Sequence, residues 1–358
     1  MILEHWRRAA LAPPAAWGEP LGSGVLRSTP EDFEVDEILG FTAAGVGPHA
    51  LLRVRKRGAN TEWVARELAR VAGVKPFEVG FAGMKDRNAV TTQHFTVPRG
   101  KRAAEEFMGM TGDGFEVISA AAHQRKLPRG ALEGNRFAIT VRGLACDPAQ
   151  LGERLQRLAA GGAPNYFGEQ RFGREAGNLE QVLRGAQQLA AGGRSRARER
   201  RGRDDAGFML SAARSVIFNA ILAERVTRGT WNRLAAGDVA NLDGRGSVFA
   251  VDNVDAGLEQ RCASLDVHPT APLAGLGESL ATGEILALED AVCGQFPEAL
   301  SVIHAEGMKP ERRALRIRVR DLDHEYSQGT LRVRFALSAG SFATTVLREI
   351  IAHAATGE

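Results

Sequence analysis

The chain of 358 residues is long enough for two domains, or for one domain with a large insertion. Its hydrophobic fraction of 44% can supply sizeable cores, and its charged fraction of 25% is ordinary for a soluble protein. Three scattered cysteines without a Cys-x-x-Cys pair argue against a disulfide framework or a zinc cluster, and we expect reduced thiols. We expect neither a signal peptide nor a run long enough to span a membrane.

Arginine clusters give the chain a local basic character that its net charge of +3 does not show. Such clusters fit a protein that meets phosphate groups on one face. They also fit an ordinary enzyme from a GC-rich genome, in which Arg replaces Lys throughout. The segment Arg194–Arg203 holds six Arg and one Glu, and it predicts either a solvated loop or an arm that contacts phosphates.

The first part of the chain alternates strand and helix patterns. Residues 1–22, rich in Pro, Ala and Gly, predict a loosely packed lead-in. Phe33 and Val35 alternate with acidic residues, which predicts a half-buried strand, and composition alone favours a core position for Phe33. Residues 49–57 predict a strand with basic residues on its outer face. Asn60 or Thr61 can cap a predicted helix that runs through Ala72 and stops at Gly73.

One loop in this region carries an acid between two bases. Residues 77–79 before it and residues 90–97 after it predict short strands. The positive charges of Lys85 and Arg87 favour the ionised carboxylate of Asp86. A carboxylate on a tight loop can act as a nucleophile or as a base, but the same pattern also fits a solvated turn.

Two further strands, at residues 115–122 and 135–141, are predicted to pair across a long basic loop. On pattern alone, Asn135 and Phe137 fit a turn residue followed by a core residue.

The middle of the chain has a mostly helical pattern. An Asp-Pro pair at residues 147–148 predicts a helix start, and Gly161 predicts its end. Residues 163–173 form an aromatic, Gly and Arg run that suits single-stranded RNA or a packed elbow between domains. The other predicted helices cover residues 178–191, residues 211–227 and two or three stretches between residues 258 and 305.

The last part of the chain returns to a strand pattern. Residues 315–320 and 331–337 alternate apolar and Arg side chains, which predicts a hairpin with one apolar face and one Arg-bearing face. A final helix is predicted after Ser341, which would cap it. Strand-rich ends therefore flank a helix-rich middle.

Five stretches resemble motifs of one known family. They are residues 24–37, Gly-Met-Lys-Asp-Arg at 83–87, Gly-Asn-Arg-Phe at 134–137, the run from Pro164 to Gly173 and the run from Gly340 to Glu349. They resemble motifs of the TruD family of tRNA pseudouridine synthases, and the resemblance covers nearly the whole chain.

This resemblance implies roles for individual residues. Asp86 corresponds to the family's catalytic residue. The implied substrate contacts are Phe33, Asn135, Phe137, Phe342, Lys85 and Arg27. An Asn offers the donor and the acceptor that the edge of a uracil needs, and an aromatic ring can stack on an extruded base. Arg27 stands where the family pattern prefers Lys, a change that keeps the charge but alters the geometry.

The resemblance also implies an α+β fold. We expect a pseudouridine-synthase catalytic domain with a mixed, largely antiparallel sheet, plus an inserted α/β domain. Residues 1–162 and 313–358 would form the catalytic domain, and residues 163–312 would form the inserted RNA-binding domain. Composition by itself shows only that the pattern changes twice along the chain.

The implied reaction is isomerisation of a uridine in tRNA, at position 13, to pseudouridine. Because this reaction is redox-neutral and has a built-in leaving group, we expect no cofactor and no metal. The expected partner is tRNA, and we expect a cytoplasmic monomer. Two other classes stay open: a nonenzymatic RNA-binding protein or RNA chaperone of the same fold, and a metabolic enzyme whose Arg residues bind a small phosphorylated substrate.

Overall fold

The computed structural model describes residues 2–192 and 203–353, so the Arg-rich segment, apart from its last residue, lies outside the described residues. The described helices are α1 (Ile2–Leu11), α2 (Thr61–Ala72), α3 (Pro148–Gly161), α4 (Gly177–Ala190), α5 (Arg203–Thr227), α6 (Ala256–Ala263), α7 (Gly283–Cys293), α8 (Pro297–Ala305) and α9 (Ala343–Arg348).

The described strands number from β1 to β17 in chain order. They are β1 (Ser23–Leu26), β2 (Phe33–Ile38), β3 (His49–Arg57), β4 (Gly80–Phe81), β5 (Val90–Pro98), β6 (Thr111–Gly112), β7 (Phe115–His123), β8 (Gly134–Arg142), β9 (Ala163–Pro164), β10 (Val239–Leu242), β11 (Val248–Ala250), β12 (Val267–Leu273), β13 (Glu311–Ala314), β14 (Arg316–Ile317), β15 (Arg320–Ser327), β16 (Thr330–Ser338) and β17 (Ala352–His353).

Contacts divide the chain into two compact units. The sheet unit contains Leu21–Gly152, Arg320–Gly340 and Ile351–Glu358, and the helical unit contains Met1–Pro20, Glu153–Val319 and Ser341–Ile350. Both units are therefore assembled from segments that are distant in sequence. Whether residues 1–162, 163–312 and 313–358 behave as the expected domains stays a prediction.

The sheet unit is built on an eleven-stranded sheet with the order β15-β16-β8-β2-β5-β3-β7-β6. Strand β1 pairs with β8 and β17, and β4 pairs with β5. Among the described strands of this sheet, only the pairs β2–β5 and β1–β17 are parallel. The expected α+β class with a mixed, largely antiparallel sheet is therefore confirmed.

Strand register decides which side chains share a face of this sheet. Val35 of β2 lies opposite Phe137 of β8 and Thr91 of β5, and Phe137 lies opposite Phe335 of β16. Side chains of directly paired residues point to the same face. This face carries both apolar residues and the candidate site.

Helix α2 packs over the same sheet. Asn60 accepts a hydrogen bond from the N–H of Glu62 at its start, and Gly73 ends it in the left-handed conformation with φ 72°. Its Val64 and Leu68 join Leu52 and other sheet residues in one hydrophobic cluster. The predicted helix is thus confirmed, and its start lies beside the loop that carries Asp86.

The helical unit is organised around α5. Val216, Ile217 and Phe218 of this helix are fully buried in a cluster that also takes residues from α1, α4 and α8. A four-stranded sheet with the order β11-β10-β12-β13 and the pair β14–β9 belong to the same unit. The helix-rich middle of the chain therefore also contains a small sheet.

Within the described residues, Gly207–Thr227 is long and apolar enough to cross a membrane by length and composition, contrary to expectation. Inside the protein, 61% of its apolar window is buried, and its side chains pack in the core cluster just described. The need to fill that core accounts for its apolar composition.

The amino-terminal segment is better ordered than its composition indicated. Residues 2–11 form α1 instead of a loose lead-in, and Trp6 is fully buried beside Phe296 with a ring distance of 5.9 Å. One large buried apolar side chain contributes about 1.5–3 kcal/mol of hydrophobic free energy, which is part of what offsets the cost of ordering this helix.

Three strand predictions were wrong in their details. Pro76 starts a 3₁₀ turn where a strand was expected at residues 77–79, so the strand is β4. Strands β7 and β8 form, but they pair with β3 and β2 instead of with each other. The hairpin joins β15 to β16 through Gln328-Gly329, while residues 316–317 form β14 in the helical unit. Period-2 alternation identifies strands but leaves their partners open.

Candidate active site

Polar side chains of the sheet unit hold the main chain of the loop that carries Asp86. The N–H of Lys85 donates to Oγ1 of Thr61 at 3.1 Å, and that hydroxyl donates to Gln93 at 2.9 Å. The amide of Gln93 in turn donates to the carbonyl of Gly83 at 3.0 Å. The first residue of α2 and a residue of β5 therefore fix the approach to Asp86.

A buried lysine binds the same loop. Lys56 is only 1% exposed, and its ammonium donates to the carbonyl oxygens of Asp86 and Ala59, each at 2.9 Å. Burial lowers the pKa of Lys56 to about 8, although the nearby Asp86 carboxylate acts in the opposite direction. The expectation that the basic residues of this strand lie on its outer face is wrong for Lys56, which shares a side of β3 with Leu52 and Val54.

The ammonium of Lys85 forms an ion pair with a buried carboxylate. Its ammonium lies 2.9 Å from Oε2 of Glu37, whose side chain is fully buried. The N–H of His94 donates to Oε1 of Glu37 at 3.0 Å. Burial acts to raise the pKa of Glu37, but the hydrogen bonds from His94 and the charge of Lys85 outweigh it and lower that pKa. The role of Lys85 as a substrate contact stays a prediction.

The charged partner of Asp86 is distant in sequence. Nη1 of Arg27 lies 2.8 Å from Oδ2 of Asp86, and Oδ1 accepts a hydrogen bond from the N–H of Asn88 at 3.1 Å. The other sequence neighbour, Arg87, donates to the carbonyl of Gly58. The Asp86 side chain is 27% exposed, so one edge of the carboxylate stays accessible.

Arg27 also lies against the aromatic part of the site. Its backbone has a positive φ of 58°, a conformation that costs a non-Gly residue free energy and is frequent at functional sites. Its guanidinium lies 4.2 Å above the ring of Phe33, and Phe33 meets Phe137 edge-on at 6.3 Å. A continuous chain of contacts thus runs from Asp86 through Arg27 to Phe33 and Phe137.

The burial of Phe33 and Phe137 supports the core positions that composition and pattern favoured for them. Phe33 and Phe137 are both buried, and Phe137 also contacts Phe335 at 5.5 Å. Both rings are core residues of the sheet unit, as pattern alone indicated. Their role as substrate contacts stays a prediction.

Asn135 holds an acceptor without a protein donor. In the described part of the chain, its buried Oδ1 has no hydrogen-bond partner. Register places Asn135 opposite Glu37 of β2 and Leu337 of β16, on the same face as Phe137. Because buried polar atoms are nearly always paired, this oxygen is suited to accept from a ligand.

Phe342 belongs to the other unit. It directly precedes α9, and its ring lies 6.4 Å from Phe167 in the helical unit. Ser341 does not cap this helix, since the capping position is occupied by Phe342 and shows no side-chain hydrogen bond. The other six predicted residues lie together in the sheet unit, and the substrate role of Phe342 stays a prediction.

Sequence reasoning missed four residues that build the site: Lys56, Glu37, Thr61 and Gln93. A signal for two of them was present. Lys56 continues the inward alternation of Leu52 and Val54, and Glu37 continues that of Phe33 and Val35. A charged residue at an inward position of a strand therefore indicates a buried ion or hydrogen-bond network. In residues 2–192 and 203–353, no group of three or more His, Cys, Asp or Glu side chains could hold a metal ion.

Comparisons with known proteins agree on one family. The family model described as tRNA pseudouridine synthase D (TruD) matches residues 16–186 and 206–350. A protein of that name from Xanthomonas campestris is 43% identical over 94% of both chains, and one from Pseudomonas aeruginosa is 40% identical over 97% of this chain and 96% of its own. A solved structure from Methanosarcina mazei, described as TruD, superposes with a TM-score of 0.72 at 22% identity, covering 97% of this chain and 98% of its own.

Proposed function

Because the chain belongs to the TruD family of tRNA pseudouridine synthases and is therefore a tRNA-modifying isomerase, we propose that it converts uridine 13 of tRNA with Asp86 as the catalytic carboxylate. One observation carries this proposal. The accessible carboxylate of Asp86 is bound to Arg27 at 2.8 Å, and Arg27 in turn lies on Phe33 beside Phe137.

The chemistry requires the target base to leave the RNA stack. A base inside a stacked helix is out of reach, so the uridine is extruded into the site. The N1–C1′ bond breaks, the uracil rotates, and C5 bonds to C1′. C5 loses its proton, N1 gains one, and no electrons enter or leave. The sum is an isomerisation, so we propose that neither a cofactor nor a metal takes part.

Different residues of the sheet unit take different roles in this reaction. Asp86 acts at the ribose, either as a nucleophile at C1′ or as a base at C2′, and both roles need the ionised carboxylate. Arg27 stabilises that charge and positions it by its ion pair. The free Oδ1 of Asn135 suits the N3–H of uracil, which is a donor. We further propose a cytoplasmic monomer that binds tRNA.

The test replaces the carboxylate without changing its shape. Purified wild-type protein and Asp86→Asn are incubated with unmodified tRNA whose uridines carry tritium at C5, and released tritium is counted while pseudouridine is mapped along the tRNA. We expect product at position 13 with wild type, and less than about a thousandth of that turnover with Asp86→Asn, since catalysis by a single acid or base supplies about 10²–10⁴-fold.

The outcomes separate the remaining alternatives. Product at another uridine would overturn position 13 while leaving the isomerase intact. Tight tRNA binding without any tritium release by wild type would favour the nonenzymatic RNA-binding protein or chaperone. Deuterium at C2′ of the target ribose distinguishes the two roles of Asp86, because only the base role predicts a primary isotope effect.

A further inference from the structure

A groove beside the catalytic loop is not used by the mechanism proposed above. It lies in the sheet unit, has a volume of about 620 Å³, and is lined by α2, the 3₁₀ turn at Pro76–Glu78, β4 and the segment 126–129. This volume is within the roughly 300–1,000 Å³ range of ligand-binding clefts.

The floor of the groove is rigid. A Cβ on Gly80 would approach the main chain of Leu127 to 2.6 Å, so only glycine lets these two segments lie so close. The N–H of Leu127 donates to Oγ1 of Thr96 at 2.8 Å, and the N–H of Gly130 donates to the carbonyl of Ala82 at 2.7 Å. The groove is therefore preformed.

Its walls combine positive charge with an exposed aromatic ring. Arg66, Lys126 and Arg129 line it, against the single carboxylate of Glu62. Arg66 is exposed, and its side chain has no ion pair or hydrogen bond with any residue that the structure describes. Phe77 is 70% exposed, which is costly for a phenylalanine unless a partner covers it.

The groove leads to the catalytic loop. The guanidinium of Arg129 lies 3.7 Å above the ring of Phe81 and contacts the sulfur of Met84 at 3.8 Å. Met84 is half exposed and precedes Lys85 and Asp86 in the chain. A linear polymer bound in the groove would therefore extend along the loop towards Asp86.

We propose that this groove binds a single-stranded nucleotide that flanks the target uridine, with its base on Phe77 and its phosphate at Arg66 and Arg129. This inference rests on the proposed function and adds a second RNA subsite to it. An exposed aromatic ring beside cations that form no ion pair with the described residues is the combination that single-stranded nucleic acids need. The excess of positive charge disfavours an apolar or basic peptide, and the aromatic ring favours a strand that carries bases over an acidic peptide.

The experiment uses Phe77→Ala and Arg66→Gln in the full chain, both at exposed positions where folding is least affected. Met108→Ala and Arg55→Gln serve as matched controls, since Met108 and Arg55 are exposed in the same unit but do not line the groove. We expect Phe77→Ala to weaken tRNA binding by roughly 5–150-fold. We expect Arg66→Gln to lower the slope of log affinity against log salt by about 0.7, as for one lost contact to a single-stranded phosphate.

A double-mutant cycle locates the nucleotide. Substrate tRNAs with an abasic site at each position flanking uridine 13 are combined with wild type and with Phe77→Ala. At one flanking position, the abasic site and Phe77→Ala together should cost no more than either alone. Wild type without turnover would overturn the proposed function. An active wild type with additive losses at every position, or with groove variants that bind tRNA like the controls, would overturn this inference alone.

Discussion

Two of the stretches that resemble family motifs are anchored by side chains of opposite charge: the loop around Asp86 in the sheet unit and residues 340–349, which lie mainly in the helical unit. The loop is held by a cation, because Lys56 donates to main-chain carbonyls. The carboxyl-terminal segment is held by an acid, because the buried carboxylate of Glu349 accepts from the N–H groups of Ala16 and Trp17 at 2.9–3.1 Å.

This difference follows from which main-chain groups each segment meets. The loop at Asp86 exposes carbonyl oxygens towards the sheet, and only a donor can pair with them. Residues 16–17 present N–H groups instead, and only an acceptor suits them. In both places an irregular stretch of main chain is buried, and a long charged side chain supplies the hydrogen bonds that a helix or sheet would otherwise supply.

The largest effect on turnover is expected from replacing Lys56, the cation that anchors the loop around Asp86. Lys56→Met keeps most of the length of the side chain but leaves the carbonyls of Ala59 and Asp86 without this donor, so the loop should shift. Misplacement of a catalytic group by about 1 Å can cost roughly 10²-fold in rate, and we expect a loss of that size in kcat with little change in KM for tRNA. Steady-state kinetics on purified protein measures both.

A pH profile separates positioning from simple destabilisation. Because the pKa of Lys56 is lowered to about 8, the cation is lost as pH rises through about 8, and wild-type kcat should fall there. Stability should move the other way, since the unfolded state holds the proton up to about 10.4 and the folded state is therefore favoured as pH rises between these values. Arg55→Gln should keep the alkaline fall in kcat, and Lys56→Met should lack it.

A smaller effect is expected at the aromatic residue of the second segment. If Phe342 stacks on the target base, Phe342→Leu should weaken the productive complex by roughly 1–3 kcal/mol, measured as kcat/KM. Phe172→Leu is the control, because Phe172 is fully buried in the core of the helical unit. The control should lower the melting temperature without lowering kcat/KM. If both variants lose the same stability and keep the wild-type kcat/KM, Phe342 is a core residue and not a substrate contact.

The smallest effect is expected from replacing Glu349, the acid that anchors the carboxyl-terminal segment, and it concerns stability. Burial raises the pKa of Glu349 above its ordinary value, although the N–H groups of Trp17 and Ala16 act to lower it. The folded state then binds a proton that the unfolded state lacks, so this group favours folding as pH falls through the window between the raised value and about 4.3. Glu349→Gln cannot titrate, and its stability relative to wild type should decline as pH falls from 7 to 4.5. A difference in the free energy of unfolding between Glu349→Gln and wild type that stays constant from pH 7 to 4.5 would contradict this prediction.

The sequence by itself determined several elements of the sheet unit. Alternation identified β2, β3 and β5, because this signal depends only on neighbouring residues. The polar pair Asn60-Thr61 and Gly73 marked the two ends of α2 for the same reason, although only the structure shows that Asn60 is the cap. The order of residues 83–87 indicates Asp86 only through its resemblance to the family motif, and the catalytic role of Asp86 stays a prediction.

Only the tertiary structure decided which groups meet. Lys85 and Arg87 flank Asp86 in the chain, yet the contacts fall to Arg27 and Lys56, because side chains of adjacent loop residues point in different directions. The pairing of β8 with β2 and β16 likewise depends on burial of the shared face around Phe137. Burial and strand register are properties of the whole fold, and no local pattern contains them.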